Sequence, residues 1–348
     1  MTTHDSNQST SPVFPLQRRR VEVNSSKLVM SRLLGNQSLP LILEPASEHV
    51  SLAEWAAKNH DAIETGVLTH GAVLFRGFNI WNATQFEEIV RIISGEPLTY
   101  SERSSPRSHV TGRVYTSTDY PPSEPIFPHN EHSYAVTFPL RLYFFCETPP
   151  ATGGATPLAD VRRVFRRLSP QIREQFERRE WMYVRNIGDG LGLSLETVFQ
   201  TRDAAEINNY CRRNAIEIEW KSPKTVRTRQ RRKATIPHPR TGEVAWFNHA
   251  TFFHVSTLDP LIGDELIAQF GEDDLPNNTR YGDGGAIEPE VLDQLRRAYL
   301  DEMVRFNWQR GDILLIDNVL AAHARDPYTG PRKILVSMAE PITRNELV

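Results

Sequence analysis

In the segment PHNEHSYAVTFPLRLYFF, His129 and Glu131 stand two residues apart. On a strand, alternate side chains project from one face, so this H-x-E spacing predicts an imidazole and a carboxylate converging on one point. The pair is a candidate half-site for a divalent transition metal. Taken alone such a pair is a common coincidence, and the bland alternative is a turn histidine after Pro128 beside a solvated glutamate. A second imidazole comes from DNVLAAHARDPYTGPRKILVSM, where His323 follows the apolar strand DILLID and its turn formers Asp317 and Asn318. Two histidines and one carboxylate on one face of a metal form the donor set of an oxygen-activating iron(II) centre. The remaining positions stay open for a co-substrate and dioxygen.

Two more residues extend the pattern. Arg332 opens the closing strand, and a guanidinium there would take the far carboxylate of a dicarboxylic acid whose near end chelates the metal. Thr156, in GGATPLAD, would donate its hydroxyl to the same carboxylate. Each has a plain alternative: Arg332 as a surface residue beside Lys333, and Thr156 as a turn residue after Gly153 and Gly154.

These side chains need a frame that brings distant segments together. VYTSTDY, LRLYFFCE, EWMYVRNI, AIEIEWK, VAWFNHATFF, DILLIDN and RKILVSMAEP are rich in β-branched and aromatic residues and read as strands. SLAEWAAKNHDAIETGVLTHG reads as a helix, with Ser51 and Glu54 as a capping box. Further helices are predicted at Thr84–Ser94, Arg162–Arg178, around Asn208–Arg213, and at Glu288–Met303 with Pro289 in the first turn. The expected class is α+β, mainly β, with a double-sheet or barrel core. Residues 1–38 are expected to be mostly flexible and 39–348 to form a single domain, since no Gly-, Ser- or Pro-rich linker divides the body.

Composition narrows the function classes. The 348 residues carry 40 basic and 43 acidic side chains, a net charge of −3 that argues against a dedicated nucleic-acid binder. No apolar run approaches the ~20 residues of a membrane-spanning helix. The polar start lacks a signal core, and two cysteines, Cys146 and Cys211, make no disulfide framework, so a cytoplasmic setting is expected.

The segments HNEHSYAVTFPLRLYFFCETPPATGGATPLAD and DNVLAAHARDPYTGPRKILVSMAEP resemble the taurine dioxygenase and clavaminate synthase-like family of iron(II)/2-oxoglutarate oxygenases. VYTSTDYP, HPRTGEVAWFNHATFFHVS and FGEDDLPNNTRYGDGGAIEPEVLDQLRRAY add to the likeness, which runs from about Leu39 to Pro341. In detail it is similar to the branch that includes the syringomycin-type aspartyl hydroxylase of non-ribosomal peptide pathways. The resemblance implies a double-stranded β-helix (jelly-roll) core with flanking helices and a long insertion. It implies His129, Glu131 and His323 as iron ligands, Thr156 and Arg332 holding 2-oxoglutarate, and dioxygen as oxidant. The expected reaction is hydroxylation of an unactivated C–H bond, at the β-carbon of an amino acid that is free or tethered to a peptidyl carrier protein.

Three departures from the pattern bear on chemistry. Many relatives have Asp where Glu131 stands; a Gly or Ala there would have pointed to halogenation. Branch members tend to have Met at the position of His132 and Gly at that of Ala324. By strand alternation His132 faces away from Glu131 and is not counted as a ligand.

Other outcomes stay open on the same scaffold. Desaturation or cyclisation would show as loss of two hydrogens rather than gain of an oxygen. A jelly-roll protein that binds a metal or small molecule without turnover is the alternative of another class. For the substrate, Arg325 is a candidate partner for a carboxylate, with an ion pair to Asp326 or Asp160 as its alternative. Asn248 and Trp246 are candidates for the mouth of the barrel, with core packing as theirs. The run VRTRQRRKA puts Arg227, Arg229 and Arg231 on one strand face: either a solvated hairpin or a docking stripe for an acidic carrier protein.

Overall fold

The computed structural model describes residues 28–99, 108–117, 120–188 and 192–347. The expected flexibility of the N-terminus therefore lies largely outside the described residues. Order begins before Leu39, because Val29–Leu33 is a strand paired antiparallel with Leu41–Pro45.

The frame is an eight-stranded sheet in which the strand Thr137–Thr148 lies between Ile313–Asp317 and Lys333–Thr343. All three are buried runs, as strands covered on both faces must be. Alternation divides their side chains. Tyr143, Phe145, Ile313, Leu315 and Leu335 face the helices Leu52–Ala56, His60–His70 and Ala83–Ser94. Leu142, Phe144, Cys146, Leu314, Ile316, Ile334, Val336 and Met338 face the other way. There they meet Leu158 and Ala321 of a three-stranded sheet, Ile126–His129, Ala321–Arg325 and Leu158–Asp160. Two facing sheets with this apolar filling make the expected jelly-roll core.

A long insertion separates Leu158–Asp160 from Ile313–Asp317. It holds a four-stranded sheet, ordered Glu217–Ser222, Thr225–Arg232, Trp181–Gly188, Asn277–Tyr281, and several helices. Two predicted helices are each broken in two. Leu52–Ala56 ends before His60–His70, and Val161–Arg167 ends before Pro170–Arg179, where Ser169 caps a new helix with Pro170 in its first turn. The predicted strand VAWFNHATFF is short: only Val244–Trp246 is extended, and turns follow.

Candidate metal and substrate site

His129 and His323 are directly paired residues on adjacent antiparallel strands. Their ring centroids therefore lie 4.3 Å apart. Glu131 Oε2 is 3.9 Å from His323 Nε2, and one donor atom from each of the three buried residues lies within 4.8 Å of the others. The donor set suits iron(II). The Nδ1–H of His129 donates to the carbonyl of Phe127 at 2.9 Å, which leaves Nε2 with its lone pair directed elsewhere, as a metal-binding imidazole requires.

Glu131 does not reach this cluster by strand alternation. The strand ends at His129, and Glu131–Tyr134 form a turn in which His132 has φ +55°. The expectation that His132 faces away from Glu131 is corrected: its Nε2 is 3.3 Å from Glu131 Oε1.

On one side of the cluster a narrow cleft of about 30 Å³ runs between His129, His323, Phe144, Thr156 and Arg332. It shares Ser117, Arg325, Arg332 and Ile334 with a wider cavity of about 430 Å³. Arg332 Nε donates to the carbonyl of Gly154 at 3.0 Å, and its guanidinium lies over the Tyr328 ring. A Cβ at Gly154 would sit 2.7 Å from Pro150 and 3.1 Å from the Arg332 side chain, so the bare backbone admits the arginine. The hydroxyl oxygen of Thr156 accepts from Trp308 Nε1 at 3.0 Å and from Arg332 at 3.4 Å, leaving its own proton to donate. Burial, with the charge of Arg325 nearby, lowers the Arg332 pKa to about 10, so it stays charged near neutrality.

On the other side lies a cavity of about 480 Å³. The metal-binding candidates His129 and Glu131 form its floor, and Phe127, Phe252, Phe253 and Tyr120 supply aromatic wall. Its size and apolar lining are those of a small-molecule site. His132, His249 and His254 add polar groups. Burial, with His129 beside it, holds the His249 pKa well below the ordinary imidazole value, and Ser133 hydrogen-bonds its Nδ1.

The structure brings together His129, Glu131, His323, Thr156 and Arg332. It does not place the three substrate candidates in the large cavity. Trp246 is fully buried in the core against Phe165 and Phe176. Asn248 is tied to the backbone, donating to the Ala234 carbonyl and accepting from the Ala250 amide. Arg325 donates to the carbonyls of Tyr120, Pro121 and Glu124 at 3.0, 2.6 and 2.6 Å, and so straps the cavity-wall loop to the metal-site strand. Neither ion pair expected for it forms; Asp326 pairs with Arg305, and Asp160 with Arg162. Sequence reasoning missed His249, next to the residue it chose, and the paired aromatics Phe252 and Phe253. Their only signal was the polar–aromatic texture of NHATFF.

This geometry agrees with what similarity shows. Residues 37–338 match the family model described as taurine catabolism dioxygenase TauD, TfdA family. The chain belongs to that family and is an iron(II)/2-oxoglutarate-dependent dioxygenase. It is 38% identical over 284 residues to the dapdiamide synthesis protein DdaC of Enterobacter agglomerans, covering 82% of this chain and 86% of DdaC. It is 30% identical over 288 residues to a clavaminate synthase-like protein of Arabidopsis thaliana, covering 78% of this chain and 82% of the relative. The fold matches PvcB of Pseudomonas aeruginosa, described as an Fe, alpha-ketoglutarate dependent oxygenase from an isonitrile synthetic pathway. The TM-score is 0.52 at 14% identity over 90% of this chain and 97% of PvcB.

Proposed function

We propose that this dioxygenase hydroxylates an unactivated C–H bond, at the β-carbon of an amino acid or its acyl derivative, in specialised-metabolite biosynthesis. The carrying observation is the position of the His129–Glu131–His323 cluster, between a cleft ending in Arg332 and Thr156 and a separate aromatic cavity. On this reading the three side chains hold iron(II), and Arg332 and Thr156 take the far carboxylate of 2-oxoglutarate. The metal, with 2-oxoglutarate and dioxygen, supplies oxidation: one oxygen atom goes to the substrate and the other to succinate, with release of carbon dioxide.

The protein's part is placement. Phe127, Phe252 and Phe253 exclude water and hold the apolar part of the substrate near the metal. The 38% identity to a protein of dapdiamide synthesis supports the biosynthetic setting. A cytoplasmic location is proposed with it, in keeping with two buried cysteines that are not joined in a disulfide. Burial pushes the Cys146 thiol up to about 12, which makes it unreactive.

Carrier tethering of the substrate is part of the proposal, but the basic run does not support it. Arg227 pairs with Asp274, Arg229 with Glu217 and Glu219, and Arg231 with Glu180, so the stripe is paired with acids of the insertion itself. Incubation with iron(II), 2-oxoglutarate and panels of free and carrier-linked amino acids tests the reading. Substrate-dependent succinate and a product heavier by one oxygen are expected. A product lighter by two hydrogens would assign desaturation or ring closure instead.

A further inference from the structure

Two of the three metal-site residues are held by their strand pairing, since His129 and His323 face each other across a ladder. Glu131 lies beyond that ladder, in the turn, and something else must fix its direction. The amide of Asn318 grips the Glu131 residue from both sides. Its Oδ1 accepts from the Glu131 N–H at 2.7 Å, and its Nδ2 donates to the Glu131 carbonyl at 2.9 Å and to the Pro139 carbonyl at 2.8 Å.

The main chain of Asn318 is engaged as well. Its carbonyl accepts from Asn130 Nδ2 at 2.7 Å, and its N–H donates to the Leu140 carbonyl at 2.8 Å. Asn318 is fully buried, so every one of these bonds is made out of water, where loss of a partner is costly. Aspartate is of the same shape but would turn an acceptor toward two carbonyls, and leucine offers no polar group.

The residue before it serves the other arm of the site. Asp317 Oδ1 accepts from the amides of Val319 and Leu320, fixing the turn that leads into the strand of His323. Arg141 and His238 hold the Asp317 carboxylate in place. The Asp317–Asn318 dipeptide therefore braces both sides of the cluster from one point.

We propose that Asn318 is the positioning residue that aims Glu131 at the metal, an inference that rests on the reading of Glu131 as a ligand. Removal of a residue that orients a metal ligand weakens metal binding by about 10- to 100-fold.

The test is Mn(II) affinity, read from the electron paramagnetic resonance of unbound Mn(II), for the full chain and for N318A, N318D, N130A and E131A. Measurements are made well below each variant's metal-free melting temperature. N318A and N318D are expected to bind at least about tenfold more weakly. N130A, which loses a bond to the same residue but keeps the grip on Glu131, stays within threefold of the parent on this account. Asn318 variants that are folded and bind Mn(II) as the parent does would overturn the proposal alone. A parent that binds no Mn(II) would overturn the ligand reading beneath it.

If the Asn318 variants do not fold, hydrogen exchange in the metal-free parent decides. A protected Glu131 amide is expected, and exchange at the rate of an exposed amide would refute the grip.

Discussion

Arg332 and Thr156 illustrate how single residues acquire a role from their surroundings. Neither is distinctive in sequence, yet one guanidinium over Tyr328 and one hydroxyl already accepting from Trp308 converge at the end of the same cleft. A charge-assisted hydrogen bond contributes about 1.5–3 kcal/mol. Arg332→Met is therefore expected to raise the apparent KM for 2-oxoglutarate by about 10- to 150-fold while leaving Mn(II) binding intact, and an unchanged KM would remove Arg332 from the co-substrate site. The five residues that converge were legible in the sequence because their chemistry is particular to type: imidazole, carboxylate, hydroxyl and guanidinium in a recognisable order. Trp246 and Asn248 are taken up by the core and the backbone, and Arg325 lines the metal-site cleft while its guanidinium binds loop carbonyls, because aromatic, amide and guanidinium groups serve those roles as readily as a ligand. Only the fold distinguishes those uses.

At the scale of elements, the strands were the legible part and the turns were not. Runs such as LRLYFFCE and DILLIDN announce themselves by apolar continuity. The departure of the chain from strand geometry after His129 leaves no such mark, and it decides where Glu131 and His132 point. The loop Tyr120–Glu124 has the same character: its attachment by Arg325 joins residues far apart in sequence. Arg325→Ala should speed hydrogen exchange across residues 120–126 and raise substrate KM more than it lowers kcat, because Tyr120 and Pro125 form part of the cavity wall. Unchanged exchange would mean that the loop is held by other contacts.

The central strands are joined by a buried charge pair as well as by their ladder. Arg141 and Asp317 are cross-strand partners, both essentially inaccessible to solvent. Burial opposes ionisation of Asp317, but Arg141 and His238 outweigh it and keep its pKa below the usual carboxylate range. Arg141→Met would leave that carboxylate poorly compensated, at a cost of about 3–5 kcal/mol in denaturant unfolding. A loss below about 1 kcal/mol would show that the pair adds nothing to the sheet.

For the molecule as a whole, the modest net charge includes a local balance within the insertion. The insertion's arginines are matched by acids on neighbouring strands and turns, and as the pairs are partly exposed, Arg231→Gln should cost about 1 kcal/mol or less in denaturant unfolding. Its stability should depend on pH through histidines as well as carboxylates. His254 is held down to about 4, mainly by burial with Arg296 and Arg280 adding, and His249 is also pushed well below its ordinary value. Their unfolded values lie near 6.5, so the unfolded chain takes up protons first as the pH falls. Stability from this source is complete above about pH 6.5, declines below it, and for His254 levels off near pH 4. The melting temperature of the metal-free protein should therefore fall between pH 7 and pH 5, less steeply in His254→Gln; identical slopes would exclude His254 from the effect.

The most direct measurement is an anaerobic titration of the protein with iron(II) and 2-oxoglutarate, followed by the visible absorption of the iron–2-oxoglutarate chelate. The band is expected in the parent protein, absent from H129A and H323A, and formed only at higher 2-oxoglutarate concentration in R332M. A parent protein that forms no band, or alanine variants that form it as the parent does, would contradict the assignment of the site.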